Sequence, residues 1–438
     1  MGAGGGRTDE VSVPRRAAPV IEVERLQRKI VGVLSGTQVL GGAGTTTGLA
    51  ISTLVAASIS GSDAIGGLAQ TSAVLGAAIL ALPAARLAAR RGRRPALLLG
   101  YAVGTVGALV ASVAVAAHSW PVLLCGLVMF GGGSAANLAG RYAATDLAHP
   151  RRRARSLSFV VWATTVGAVA GPNLADPAGR FAAAHGLPLG SGPFLLSAIV
   201  FGAASLGVFL GLRPDPLVVA RAAELGREQP RLAADHCTGG ATPTAVRATA
   251  WRSLRPSARL ALAGVTLCHT AMVGMMSMTP VHMNHAGASL KVVGLVISLH
   301  VAAMYGASPL FGWMADRLGR VPVLAMGAAL VVAAAGVAGM APAADAPQLA
   351  AGLILLGFGW SAGVVSGSAL LTESVPIEAR PAAQGLSDLC MNVGGALGGV
   401  LAGIVLTTWS YAVLGLAVGF TALPLLVLCL FATLRPAT

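Results

Sequence analysis

Charged residues are scarce in this sequence, making up 11% of 438 positions while hydrophobic residues make up 55%. With a mean hydropathy of +0.76, the chain has too little polar surface to be a soluble globular domain. Cysteine is sparse too. Cys125, Cys237, Cys268, Cys390 and Cys429 form no CxxC pair and no secreted framework, so disulfides are not expected to hold the fold. Four of the five stand in apolar runs, where a thiol is usually a small hydrophobe. His236 and Cys237 stand side by side without further spaced ligands, a poor metal site. No short apolar region with a small-residue cleavage site opens the chain, so no signal peptide is read. The glycines Gly131 to Gly133 and Gly394, Gly395, Gly398 and Gly399 have no strand or Walker lysine beside them and read as close-packing helix surfaces. Neither a nucleotide fold nor a catalytic triad is recognisable, and the expectation is not an enzyme.

What the sequence does have is long apolar runs. Crossing the hydrocarbon of a bilayer takes about 20 apolar residues, and such runs recur along nearly the whole length. This implies an all-α polytopic membrane protein. We place helices at roughly 30–55, 64–87, 95–117, 120–143, 156–176 and 191–212, then at roughly 257–281, 291–314, 321–341, 347–371, 383–407 and 410–432. The expected organisation is an N-terminal tail over 1–29, a six-helix bundle over 30–212, a cytoplasmic linker over 213–256, a second six-helix bundle over 257–432 and a tail over 433–438.

The net charge of +14 would suggest nucleic acid in a soluble protein. Here the basic residues sit in loops between apolar runs, so membrane topology explains them and no nucleic-acid partner is expected. With the amino terminus inside, 28 of the 30 Lys and Arg residues fall on the cytoplasmic side, and only Arg180 and Lys291 fall outside. An error of one helix would scatter the later charges. The expectation is twelve spans in the cytoplasmic (inner) membrane, with both termini cytoplasmic and only lipid around a monomer.

The halves repeat. A shift of 227 residues places GWMADRLGR, Gly312 to Arg320, over PAARLAARRGRR at 83–94, aligning Gly319 with Gly92 and Arg320 with Arg93. The same shift carries Asp146 onto Glu373. A constant offset across separate loops indicates duplicated halves. On the D-R-x-G-R signature, intact as Asp316, Arg317, Leu318, Gly319 and Arg320, the chain resembles the major facilitator superfamily of secondary transporters over its full length. That resemblance implies the major facilitator fold, twelve helices in two six-helix pseudo-symmetric halves. It also implies a cytoplasmic gate made by Gly312, Asp316, Arg317, Gly319 and Arg320 with Gly92 and Arg93. The first copy has Ala89 where the acid belongs, which weakens the latch expected there.

Soft side chains crowd one stretch, Cys268 to Met304. It holds four of the eight histidines, His269, His282, His285 and His300, and six of the twelve methionines. Met272 and Met276 share a helix face, as do His300 and Met304, each pair four residues apart. Measured inward from the expected helix ends, the levels are Met276 outermost, then Met272 with His300, then Cys268 with Met304. Thioether, imidazole and thiol select soft cations, above all Cu(I). Methionine also fills irregular gaps between helices; a histidine at this depth is what favours a ligand role. Under the shift, Met272, Met276, His300 and Met304 fall on Thr45, Leu49, Ala73 and Ala77, so only one half carries these groups. His282, Met283 and His285 stand at the outer mouth as a metal entrance, and Cys268 and His269 are additional donors. Asp388 is the clearest carboxylate within the membrane, placed to carry a coupling proton or to pair with a neighbouring arginine.

With MxxxM in the seventh helix and HxxxM in the eighth, the chain resembles the bacterial CcoA-like copper importers of the CalT family. The resemblance implies copper as transported substrate, with no cofactor, Met272, Met276, His300 and Met304 as its ligands, import by alternating access, and a cytoplasmic copper chaperone as partner. A related branch is associated with riboflavin uptake. Uptake of riboflavin or another organic solute, proton-coupled drug efflux, and a non-transporting sensor or scaffold stay open as alternatives.

Overall fold

The structure, a computed structural model, describes residues 18–235 and 254–434. His236 and Cys237, most of the expected N-terminal tail and the last residues of the C-terminal one lie outside them. In lipid, every backbone polar group must be satisfied within its own segment or a neighbour, and the apolar runs accordingly form helices. The first six spans are α1 (Ala18–Ser60), α2 (Asp63–Arg91), α3 (Arg93–Ala116), α4 (Trp120–Ala143), α5 (Arg153–Ala184) and α6 (Ser191–Gly211), followed by the shorter α7 (Pro216–Asp235). The rest are α8 (Pro256–His285), α9 (Leu290–Gly306), α10 (Ser308–Leu318), α11 (Arg320–Gly339), α12 (Ala346–Ser374), α13 (Arg380–Thr408) and α14 (Tyr411–Leu434). Among the described residues, 12 segments are long and apolar enough to cross a membrane, α9 and α10 together making the eighth.

The two sets are copies of one unit. The shift that aligns the sequence repeat carries Leu290, Arg320 and Arg380, the first residues of α9, α11 and α13, onto Asp63, Arg93 and Arg153, the first residues of α2, α3 and α5. Gly92 and Gly319, one residue wide between their helices, hold φ of 97° and 101°. A Cβ disfavours that region, so glycine is what lets one span turn straight into the next. Packing repeats as well. A Cβ on Gly131 of α4 would fall 2.2 Å from the Ala73 carbonyl of α2, and one on Gly357 of α12 would fall 2.7 Å from the His300 carbonyl of α9. Ala73 and His300 correspond under the shift, so the same crossing is built twice with a small residue at the contact.

The halves meet at one end. That end carries the arginine-rich connections between α2 and α3, α4 and α5, α10 and α11, and α12 and α13; we call it the basic face. Arg93 pairs with Asp146 at 2.7 Å, and its counterpart Arg320 pairs with Glu373 at 2.8 Å. Both pairs span 53 residues. Arg320 also pairs with Asp316 at 2.7 Å, and Asp316 accepts the backbone N–H groups of Ala154 and Arg155 at 3.2 and 2.9 Å. A carboxylate thus caps the positive end of α5 across the halves. Ala89 cannot repeat this at α13, where Pro381 also lacks an N–H to offer. The first-half latch forms nonetheless: Arg93 reaches across to the Gln384 side-chain oxygen, and Arg221 of α7 donates to the Ala89 carbonyl at 2.8 Å.

Several boundaries differ from the sequence reading, three of them for a clear local reason. α1 begins at Ala18 instead of near 30, and its polar end is secured where Gln27 donates to the Ala144 carbonyl at 2.7 Å and Lys29 to the Arg213 carbonyl at 3.0 Å. The linker expected over 213–256 contains α7, whose Leu217 and Ala220 bury against Ile377 of the other half. The eighth span breaks at Ala307 because Pro309 has no N–H for the Tyr305 carbonyl four residues earlier; beside the break the Ser308 hydroxyl donates to the Met304 carbonyl at 3.3 Å.

The two latches differ in burial, which sets their mutational cost. Asp146 has a fully buried side chain, whereas that of Glu373 is 27% exposed. Arg93→Ala strands a buried carboxylate and is expected to cost about 3–5 kcal/mol, against less for Arg320→Ala, which leaves Glu373 in contact with solvent and the buried Asp316 still held by two backbone N–H groups. Thermal unfolding midpoints of the two variants check the ranking; an equal or larger drop for Arg320→Ala would contradict it.

Candidate functional site

His300 lies on the face of α9 that packs against α12. Its side chain is fully buried, and Nδ1 stands 2.7 Å from the Leu353 carbonyl. A carbonyl only accepts, so Nδ1 bears the hydrogen, and in the neutral ring Nε2 carries the free lone pair. Nε2 is buried and has no hydrogen-bond partner. A histidine that donates one ring N–H to a backbone carbonyl while the other nitrogen stays bare has the arrangement of a metal ligand.

The soft donors share one packed core. Cys268, Met272 and Met304 are buried in it and Met276 packs against it half-buried. α8 and α9 barely touch each other, however; each packs along α12. That helix serves as a ruler. A Cβ on Gly357 would meet the His300 carbonyl and the Met304 N–H, while one on Gly363 would lie 2.6 Å from the Cys268 thiol. Counting outward from Cys268 at about 1.5 Å per residue, Met272 falls near Gly359 and Met276 near Leu355.

The levels are therefore Met276 with His300, then Met272 with Met304, then Cys268 about a turn deeper. This corrects the expected ladder by one turn. α8 runs to His285, a turn beyond the end read from sequence, so counting from that end had placed Met272 too near the outside.

The other expected donors have different surroundings. Trp360 Nε1 donates to His269 Nδ1 at 3.0 Å, so the His269 lone pair is taken and its other nitrogen bears hydrogen. His269 is a structural partner in this state. Of the expected entrance, His282 stacks on Tyr411 with ring centroids 4.1 Å apart and donates from Nε2 to the Ala341 carbonyl at 3.3 Å. Met283 is buried in the core. Only His285 stays exposed, so the three side chains face different surroundings. Among the described residues no three of His, Cys, Asp and Glu gather as metal ligands.

Below these levels lie residues that sequence reasoning missed. Trp360 sits between α8 and α9, bonded to His269 and edge-on to Tyr305 with centroids 5.3 Å apart. Arg141, two residues inside the end of α4, was counted with the loop charges, yet it is 2% exposed. It pairs with Asp388 of α13 at 2.9 Å and donates to the Met391 sulfur at 3.0 Å. Next to it, the Tyr142 hydroxyl donates to Ser387 at 3.1 Å. A charge placed inside a helix end rather than in the loop was the available signal. Asp388 is thus the paired carboxylate of the two readings, and its partner comes from the other half. The cross-half bonds gather at the basic face, and no hydrogen bond or ion pair joins the halves at the opposite end among the described residues.

Comparison with known proteins gives the arrangement its family. The Major Facilitator Superfamily model matches residues 33–304 and again 262–438. The chain is 38% identical over 405 residues to the uncharacterized MFS-type transporter YdeG of Bacillus subtilis (strain 168), covering 92% of this chain and 91% of that one. It is 28% identical over 370 residues to the riboflavin transporter RfnT of Brucella anthropi, covering 83% and 85%. Among solved structures, the proton:xylose symporter XylE superposes with a TM-score of 0.72 at 17% identity, covering 93% of this chain and 96% of that one. With its duplicated halves, its glycine-turn latches and these matches along most of its length, the chain is a multi-pass membrane transporter that belongs to the major facilitator superfamily.

Proposed function

We propose that this transporter imports copper, as Cu(I), across the cytoplasmic membrane, with the basic face inside and both termini cytoplasmic. One observation carries the reading: the buried, unpartnered Nε2 of His300, held in place by its Nδ1 bond and sharing a core with the thioethers of Met272, Met276 and Met304. An orphan polar atom at this depth is costly unless something binds it. Soft, neutral donors suit a monovalent soft ion, which they can bind and release without burying fixed charge. The ion passes from Met276 and His300 to Met272 and Met304 while the basic face is closed, and leaves when the halves rock to open that face. A chaperone in the cytoplasm would take it up.

His300→Leu keeps the volume and removes the donor. Copper uptake by cells or proteoliposomes is expected to fall at least about tenfold, the lower edge of what weakened metal ligation costs. Met272→Leu is expected to act in the same direction, and wild-type uptake in both variants would sink the ligand assignment.

A second reading is favoured by a different observation. Trp360, Tyr305 and His269 join α12, α9 and α8 in an aromatic patch beneath the thioethers, and a relative is named as a riboflavin transporter. Such a patch can stack on a planar organic ring, at about 0.5–1.5 kcal/mol per aromatic pair. Quenching of flavin fluorescence separates the two. The copper reading predicts no quenching by the wild type, whereas saturable quenching lost in Trp360→Ala would transfer the site to an organic solute.

A further inference from the structure

We propose that Met391 and Asp388 of α13 form a second, exit-side site for Cu(I), which the Arg141 guanidinium occupies while the basic face is closed. This rests on the copper reading above. Met391 is fully buried and Asp388 is 5% exposed. Both face the same nitrogen: Arg141 Nη2 stands 2.9 Å from the Asp388 carboxylate and 3.0 Å from the Met391 sulfur.

The site lies inward of the levels of the candidate ligands. A Cβ on Gly394 of α13 would meet Thr270 at 2.4 Å and Thr266 at 3.1 Å, so this part of α13 runs level with the inner part of α8. Met391, three residues nearer the basic face, is then about one turn beyond Cys268. In depth, Met391 is thus the next thioether inward from Met272 and Met304.

Arg141 belongs to the first half and Asp388 and Met391 to the second, so opening the basic face must pull the guanidinium away. While it stays, its positive charge 3.0 Å from the sulfur excludes a cation and uses that face of the thioether. Once it leaves, a carboxylate and a thioether remain with no cation between them. An unpaired carboxylate at this depth is costly, and one monovalent cation restores the balance. Met391 supplies the soft donor and Asp388 the charge; the ion takes the place of the guanidinium without changing the local net charge. Cargo therefore gains its inner site only as the gate opens, which ties release to the conformational step.

The test is initial Cu(I) uptake into proteoliposomes, with ascorbate present, by the wild type, Met391→Leu and Met391→Cys. Leu conserves volume and Cys restores a soft donor. The expected result is uptake reduced about tenfold in Met391→Leu, a loss of roughly 1.4 kcal/mol, with most of it recovered in Met391→Cys and similar thermal midpoints for all three. If the wild type takes up copper and Met391→Leu matches it, the second site is overturned alone. If Met391→Cys is as poor as Met391→Leu, the residue acts through packing and the site is likewise overturned. A wild type that takes up no copper overturns the copper reading itself.

Discussion

The structure depends on one buried contact between its halves. Arg141 and Asp388 stand 2.9 Å apart with side chains 3% and 7% exposed, in surroundings where neither charge is tolerated alone. Burying such a pair gains little net stability, because desolvation offsets the attraction. What it imposes is a condition: the two groups stay together, or something else neutralises them. Around it, Arg93 with Gln384, Asp316 with the start of α5, and Leu217 with Ile377 close the same end. The opposite end has no such bonds among the described residues, so one set of contacts decides which side of the site is sealed.

That arrangement turns the duplication into a device. Two copies of one six-helix unit would give two equivalent sites, yet the candidate ligands stand in only one half. In the first half, Ala73 and Ala77 stand where the second has His300 and Met304, and α2 keeps the close crossing without the donors. The first half contributes the gate instead, through Arg141, Tyr142 and the N-terminus of α5. One half carries the candidate ligands and the other holds the lock, so in the proposed rocking of one against the other, access and binding would change together.

Most of the fold was legible because its signals are linear. Apolar runs, the placement of arginines and a constant offset between copies need no tertiary knowledge, and they placed twelve spans and paired Arg93 with Arg320. The site was only partly legible. Met272, Met276, His300 and Met304 stood out as candidates by their spacing, but their relative depth hung on where α8 ends, and a one-turn extension to His285 reordered the levels. Which histidines hold free lone pairs was not legible at all. His269, His282 and His300 look alike in sequence; only their neighbours, Trp360, Tyr411 with Ala341, and Leu353, decide that of these three His300 is the one with a buried ring nitrogen lacking a hydrogen-bond partner. The missing acid at Ala89 misled for a related reason, since the cross-chain bonds of Gln384 and Arg221 that stand in for it leave no local pattern.

The central claim is that a soft cation binds between His300 and the thioethers. X-ray absorption at the copper edge, on purified protein loaded with Cu(I), tests it most directly. The account predicts a first shell of sulfur with one imidazole nitrogen, the nitrogen disappearing in His300→Leu. A shell of oxygen and nitrogen without sulfur, or a spectrum unchanged by that substitution, would contradict it.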